Sequence, residues 1–264
     1  MKGGLVIYVL YSGGIDSLAC LIWAVSKWGW GRVVPVYVRI GAVYEAKELA
    51  TVSGILEQVH CPDAKILELP GLTEDASNAH VPFRNLSMLL EVAKLPDCNG
   101  IVFGMLLGET AEDKGLAFAR RVQALIRSQL VANIYGAGRK FSLYTPFALY
   151  TKAGVVKWLV DRGCTALLLQ AVSCYSAEMV PCGQCAACFN RWVALAWNSI
   201  EVHFRVHPAE WMLTQLCAVK TSASVLKYWQ FGKLPALLKA WKVLSAYTLH
   251  TYGKGLIRFW GSAW

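Results

Sequence analysis

Ser12-Gly13-Gly14-Ile15-Asp16-Ser17 stands between an apolar, β-branched run and a helical pattern. A strand must turn sharply into a helix there, and glycine permits both the turn and a close approach of backbone to a ligand. The exposed N–H groups and the helix N-terminus then form an anion site, to which Ser12 and Ser17 add hydroxyl donors. Asp16 repels anions. It makes sense as a helix cap, or as the group that orients the loop and a metal ion bound to phosphate. No Gly-Lys-Ser/Thr is present, so this is not a Walker A loop. A glycine-rich turn with an N-cap is the plainer reading, and the position just after the first buried strand weighs against it.

The second chemical group is Cys174-x7-Cys182-x2-Cys185-x2-Cys188. Four thiolates satisfy tetrahedral zinc, x2 spacings let neighbouring ligands converge on one ion, and Gly183 helps the chain turn around it. An iron–sulfur cluster uses the same ligands, but four cysteines with no fifth nearby favour a closed zinc site that staples the fold. Cys20, Cys61, Cys98, Cys164 and Cys217 are scattered, as small buried hydrophobes are.

The elements that must position these groups alternate along the chain. Leu5–Leu10 is a continuous apolar run suited to a strand buried on both faces, and a helical pattern follows through Leu18, Leu21, Ile22 and Val25. Strands are expected at Val33–Ile40, Lys65–Leu69, Gly100–Phe103 (reaching toward Leu106) and Ser142–Thr145. Helices are expected at Ala46–Val59, Arg84–Lys94, Leu116–Leu130, Lys152–Asp161 and Trp192–Ile200, with a loop at Gly136–Gly138 and a break at Pro208. This alternation predicts an α/β fold, a Rossmann-like doubly wound parallel sheet. Residues 1–205, with the zinc-binding segment 174–191, make one domain, and residues 206–264 a helical C-terminal appendage.

The 264 residues carry 26 Lys/Arg and 17 Asp/Glu, a net charge of +9. Seven of the basic residues and none of the acidic ones lie between Trp211 and Trp264; taking those seven from 26 leaves 19 against 17, a net of +2 before the tail. Within the tail, basic residues alternate with rings, as in Lys227-Tyr228-Trp229, Lys239-Ala240-Trp241-Lys242 and Arg258-Phe259-Trp260. That composition suits nucleic-acid contact or a membrane surface. Leu234, Leu237, Leu238, Trp241 and Leu244 equally suit a helix packed on the core. No apolar run reaches the roughly 18–20 residues of a spanning helix, and no stretch reads as a signal peptide. The expectation is a soluble, cytoplasmic protein.

Ser-Gly-Gly-x-Asp-Ser resembles the pyrophosphate loop of the ATP-pyrophosphatase, or adenine-nucleotide α-hydrolase-like, superfamily. Joined to Ser173-Cys174-Tyr175, Cys182-Gly183-Gln184-Cys185-Ala186-Ala187-Cys188 and Arg191, it resembles the QueC family of 7-cyano-7-deazaguanine synthases over about residues 5–195. Val81-Pro82-Phe83-Arg84-Asn85 is similar to the family's Val-Pro-Gly-Arg-Asn, and Glu48-Leu49, Asp113 and Lys152 fall at family positions. The family's Tyr-Gly-Gln-Arg-His is replaced by Ile40-Gly41-Ala42-Val43-Tyr44, and its Tyr-Pro-Asp-Cys-Arg is missing after Asp113.

The resemblance implies ATP-dependent conversion of 7-carboxy-7-deazaguanine and ammonia to the nitrile, through an adenylated carboxylate and an amide, in queuosine or deazapurine biosynthesis. The altered motifs leave open an amide-forming version, or a related enzyme acting on a tRNA or DNA base. It further implies ATP held by Leu10, Tyr11, Ser12, Gly13, Gly14, Ile15, Asp16, Ser17 and Leu18. Asp16, Ser17, Lys152 and Arg191 are the implied catalytic group, and Arg84, Asn85 and Asp113 contact substrate. Cys174, Cys182, Cys185 and Cys188 bind Zn2+, Mg2+ accompanies ATP, and a homodimer is the oligomeric option.

Overall fold

Five short runs rich in valine, isoleucine, leucine and tyrosine become the strands of one parallel sheet in the computed structural model of the chain, which describes residues 5–61, 64–69, 81–107, 112–131 and 140–211. In chain order the elements are β1 (Val6–Leu10), α1 (Ile15–Trp28), β2 (Val33–Arg39), α2 (Glu45–Gln58), β3 (Lys65–Glu68), α3 (Arg84–Ala93), β4 (Cys98–Val102), α4 (Leu116–Val131), β5 (Ser142–Tyr144), α5 (Lys152–Val160), α6 (Thr165–Gln170) and α7 (Ala186–Ala196). A short 3-10 turn at Glu112–Lys114 precedes α4.

The strand order is β3-β2-β1-β4-β5, every neighbouring pair parallel. β1 is therefore central, and the chain leaves it first to one side and later to the other. Successive β1 side chains enter opposite cores, as the two-residue period of a strand requires. Ile7 and Val9 pack with α1, α2 and α5. Tyr8 and Leu10 pack with Leu89 and Val92 of α3 and Val122 and Ile126 of α4. Burial on both faces explains why these strands read as unbroken apolar runs. Pro35 sits within β2 because β3 pairs only from Val36 onward, so β2 is still an edge on that side at the proline. The β1–β4 register shifts between Val6 and Ile7, and Asn99 fills the irregularity by accepting from the Val6 N–H at 3.0 Å.

The doubly wound sheet expected from the sequence is present, with three differences. β4 starts at Cys98 and ends at Val102 instead of running toward Leu106. Beyond it Phe103 N–H donates to Tyr144 O and Leu107 N–H to Tyr150 O, so the chain follows the β5–α5 connection. α6 is an additional helix. α7 begins at Ala186, inside the cysteine motif, because the Cys185 sulfur accepts from Cys188 N–H and caps it. It ends at Ala196 rather than Ile200, ahead of Ser199 in the left-handed region. Pro208 opens a new helical turn at 208–211, with the His207 ring accepting from Ala209 N–H at 3.2 Å; proline suits a first helical position. The basic, aromatic appendage lies outside the described residues from 212 on, as do Cys217 and the Gly136–Gly138 loop. No helix among the described residues is long and apolar enough to cross a membrane.

Gly100 marks the tightest point of the sheet. A Cβ there would lie 2.8 Å from the Tyr144 ring, 2.9 Å from Ser142 O and 3.1 Å from Ile7 Cδ1. Gly100→Ala is expected to lower stability by about 1–3 kcal/mol through overpacking, read as a lower urea midpoint. An unchanged midpoint would show that the β4–β5 pair yields.

Candidate functional site

The glycine loop leaves the carboxyl end of the central strand, at the point where the strand order reverses, which is where open α/β sheets bind ligands. Gly13 adopts φ +74°, a conformation glycine tolerates without a Cβ penalty. Gly14 precedes α1 in an extended conformation and no side chain caps that helix, so its first-turn amides face the loop uncapped. Ser17 Oγ donates to Gly14 O at 3.0 Å and accepts from Ser12 N–H at 3.2 Å, with Ser12 Oγ 3.4 Å away. The loop is held from outside as well. Val172 N–H donates to Gly13 O at 2.9 Å, and Thr51 Cγ2 of α2 lies 3.2 Å from where a Gly13 Cβ would be. A Cβ on Gly14 would meet Val172 O at 3.3 Å and fill the cradle.

Asp16 and Lys152 meet at this loop. Lys152 Nζ, at the start of α5, donates to Asp16 Oδ2 at 2.8 Å, and both side chains are a quarter exposed. Thr151 caps α5 by accepting from Gly154 N–H, which fixes where the lysine starts. Asp16 Oδ1 is buried with no partner among the described residues, as are the Tyr11 hydroxyl and Ser173 Oγ. Unpaired buried polar atoms beside an uncapped helix start fit a polyphosphate and its cation. Gly104, beyond β4, packs 3.6 Å from Asp16 Cβ by the same construction, so the carboxyl end of β4 forms the adjoining wall.

A second group of polar side chains lies at the start of α3. Asn85, almost fully buried, donates to Asp113 Oδ2 at 2.7 Å and ties α3 to the 3-10 turn. Arg84 precedes it and exerts its charge on Glu48 of α2. Phe83, the residue before Arg84, lies in the left-handed region at φ +59° and is 72% exposed. Its place in the motif is one that the resembled family fills with glycine.

Glu48 is the group sequence reading did not single out as a site residue. Tyr37 OH donates to its Oε2 at 2.8 Å. Burial raises its carboxyl to about 7, against the Tyr37 hydrogen bond and the charges of Arg84 and Lys47. The available signal was a glutamate following β2, three residues before the Thr51 that touches Gly13. Lys47, also missed, is 3% exposed and gives its ammonium to the carbonyls of Ser176 and Glu178. It thereby anchors α2 to the cysteine segment.

The four sulfurs of Cys174, Cys182, Cys185 and Cys188 lie within 4.8 Å of one another. Tetrahedral zinc with bonds of about 2.3 Å sets sulfurs about 3.8 Å apart; Cys174–Cys182 and Cys182–Cys188 are 3.5 and 3.9 Å. Backbone amides of Ser176, Cys182, Gln184 and Cys188 point at the sulfurs at 3.3–3.4 Å. The Cys188 thiol, then the amides of Tyr175 and Cys188, pull Cys185 down to about 5 against its burial. This donor set fits a thiolate-bound metal ion. By contrast, burial and then the charge of Asp16 push the Cys20 thiol up, so it stays neutral in the core. Gly183 sits at φ +75° with a hypothetical Cβ only 1.6 Å from Val206 O.

Arg191 stands apart from the other expected catalytic residues. It is 4% exposed and donates to the carbonyls of Ala171 and Leu169, and burial lowers it to about 10. Its guanidinium therefore holds the carboxyl end of α6, whose next residue beyond the cap, Val172, bonds Gly13. The structure brings Asp16, Ser17 and Lys152 together, pairs Asn85 with Asp113, and collects the four cysteines.

Comparison with known proteins gives one family match, described as Queuosine biosynthesis protein QueC, over residues 62–199. Among similar curated proteins is the 7-cyano-7-deazaguanine synthase of Chromobacterium violaceum, 28% identical over 199 residues, covering 68% of this chain and 84% of the relative. The 7-cyano-7-deazaguanine synthase of a Sulfurihydrogenibium species is 30% identical over 212 residues, covering 72% and 93%. That of Methanopyrus kandleri is 30% identical over 227 residues, covering 73% and 95%.

Two outcomes follow from the local geometry. Purified protein is expected to carry a single zinc ion, which Gly183→Ala and Cys185→Ser lose; elemental analysis checks both, and a metal-free wild type that keeps its fold would overturn the assignment. Phe83→Gly removes a left-handed penalty of roughly 1–2 kcal/mol but adds glycine's unfolded-state entropy of roughly 0.5–1 kcal/mol. Its thermal midpoint should therefore equal or exceed that of the wild type.

Proposed function

We propose, for a chain that belongs to the QueC family of queuosine biosynthesis proteins, that it is an enzyme converting 7-carboxy-7-deazaguanine and ammonia to 7-cyano-7-deazaguanine at the expense of ATP. The observation that carries this reading is the uncapped glycine loop with Asp16 and Lys152 at the switch point of the sheet. A carboxylate is a poor electrophile, and transfer of AMP to it supplies a leaving group. The resulting amide needs a second activation of its oxygen before that oxygen can leave and the nitrile form.

In this reading residues 12–17 bind the phosphates through backbone amides and the hydroxyls of Ser12 and Ser17. Asp16, whose Oδ1 has no described partner, is the carboxylate assigned to Mg2+, which would neutralise departing pyrophosphate. Lys152 fixes Asp16 and adds positive charge beside the α-phosphate position. Arg84, Asn85 and Asp113 orient the substrate. Arg191 we assign to positioning: it holds the backbone that holds Gly13. The four cysteines would bind zinc as a fold staple and take no part in the chemistry. A small-molecule substrate does not require the basic segment beyond residue 211, and nucleic-acid contact there is a separate expectation.

The test is mass spectrometry of products from purified protein, ATP, magnesium, ammonium and 7-carboxy-7-deazaguanine. Nitrile plus AMP is the expected result. Amide alone would mean that the replaced Tyr-Gly-Gln-Arg-His stretch has stopped the chemistry one step early, and no consumption of the deazaguanine would overturn the reading. Asp16→Ala is expected to abolish turnover, a loss of at least about 10²-fold for a charge at the reacting phosphates, with the circular dichroism spectrum unchanged.

A further inference from the structure

We propose that Glu48 is the proton acceptor that converts ammonium to the attacking ammonia, a role it takes only within the reaction proposed above. Glu48 lies in the first turn of α2, at the carboxyl edge of the sheet. Three residues on, Thr51 of the same helix packs against Gly13, so the helix that carries the glutamate also walls the phosphate loop. Arg84 faces it from α3 beside the Asn85–Asp113 pair. It thus sits on the helix that walls the loop assigned to ATP and feels the charge of Arg84, one of the residues assigned to the substrate.

The three ionisable side chains of the α2 start are treated differently by their surroundings. Glu45 is committed to Arg39 Nε at 2.7 Å and to Gly41 N–H at 3.1 Å. Lys47 is committed to the carbonyls of Ser176 and Glu178. Glu48 has a phenol as its direct partner: Tyr37 OH holds Oε2, while Oε1 has no hydrogen-bond partner among the described residues. Arg84, Lys47, Glu45 and Tyr37 are the charged or titratable groups that act on it. A half-buried carboxylate hydrogen-bonded to a neutral donor, with one oxygen open, loses stability relative to a well-paired one. It gains the ability to take and return a proton near neutral pH. That agrees with a carboxyl raised to about 7.

The step balances. Glu48 Oε1 takes one proton from ammonium, and the N–H electron pair remains on nitrogen. That pair forms the C–N bond at the activated carbonyl carbon. The C–O bond to AMP breaks, and AMP leaves with its electrons. The surplus proton on the new nitrogen passes to solvent, and the Glu48 proton follows it, restoring the carboxylate.

Glu48→Gln is compared with wild type using two nucleophiles, ammonium and hydroxylamine, the latter being largely unprotonated at neutral pH. With ammonium, wild-type kcat/KM should rise through about pH 7 to a plateau, because the acceptor acts when deprotonated. Glu48→Gln should lose at least about 10²-fold at neutral pH, recover as rising pH supplies free ammonia, and stay within about threefold of wild type with hydroxylamine. Pyrophosphate exchange into ATP that depends on the carboxylate substrate needs no amine and should be unchanged. Tyr37→Phe removes a hydrogen bond that favours the ionised carboxylate, so its profile should shift to higher pH. Equal slowing with both nucleophiles, or a raised KM for the carboxylate with an unchanged pH profile, would overturn the role and make Glu48 a substrate-binding group. Absence of exchange in wild type would overturn the parent reaction itself, and this role with it. Glu48→Asp, which keeps the carboxylate, should retain the rise with pH and guards against a folding defect in the glutamine variant.

Discussion

The hydrogen bond from Val172 N–H to Gly13 O is the contact on which the rest of the site depends. It joins the loop after the first strand to a segment almost 160 residues later. On one side of it, Gly13 needs its left-handed conformation and lies tight against Thr51. On the other, Arg191 reaches back from α7 to hold the carbonyls of Leu169 and Ala171. α7 in turn starts on the sulfur of Cys185. The cysteine cluster, the buried arginine and the glycine loop therefore form one mechanical chain. A metal that closes the cluster would act on the loop without approaching it.

Lys47 makes a second such link. A buried ammonium is costly unless its protons are satisfied, and here carbonyls of the cysteine segment satisfy them. The result ties α2 to the same segment that supports Gly13. Two carboxylates near the loop then differ by environment alone. Asp16 faces a lysine, and the half-buried Glu48 faces a phenol.

Much of this was legible in the residues. Apolar, β-branched runs marked β1 and β2, because the central strands of a parallel sheet covered on both faces leave no polar alternation to confuse the reading. The glycine loop and cysteine spacing were legible because each satisfies a local geometric demand. The pairings were not. Nothing in the neighbourhood of Asn85 points to Asp113, and nothing near Asp16 points to Lys152, since tertiary topology alone brings them together. Arg191 entered the implied catalytic group through the resemblance alone, and its burial against the carbonyls of Ala171 and Leu169 is tertiary information that its neighbours in sequence do not carry. The start of α7 was misjudged because a cysteine serves as its cap, a residue outside the usual capping set. Phe83 carried no hint of a left-handed backbone, although the glycine at that place in the resembled motif did.

The central position of β1 has a consequence for the chain as it is made. During synthesis β1 acquires β2 early, at residues 33–39, but its other flank waits for residues 98–102. Gly13 waits longer still, for Val172, and the cysteine loop waits for Val206 to close over Gly183. A nascent polypeptide can therefore assemble most of its sheet while its glycine loop lacks its final tether. The loop therefore reaches its held geometry only after Val172 has emerged and folded back onto Gly13.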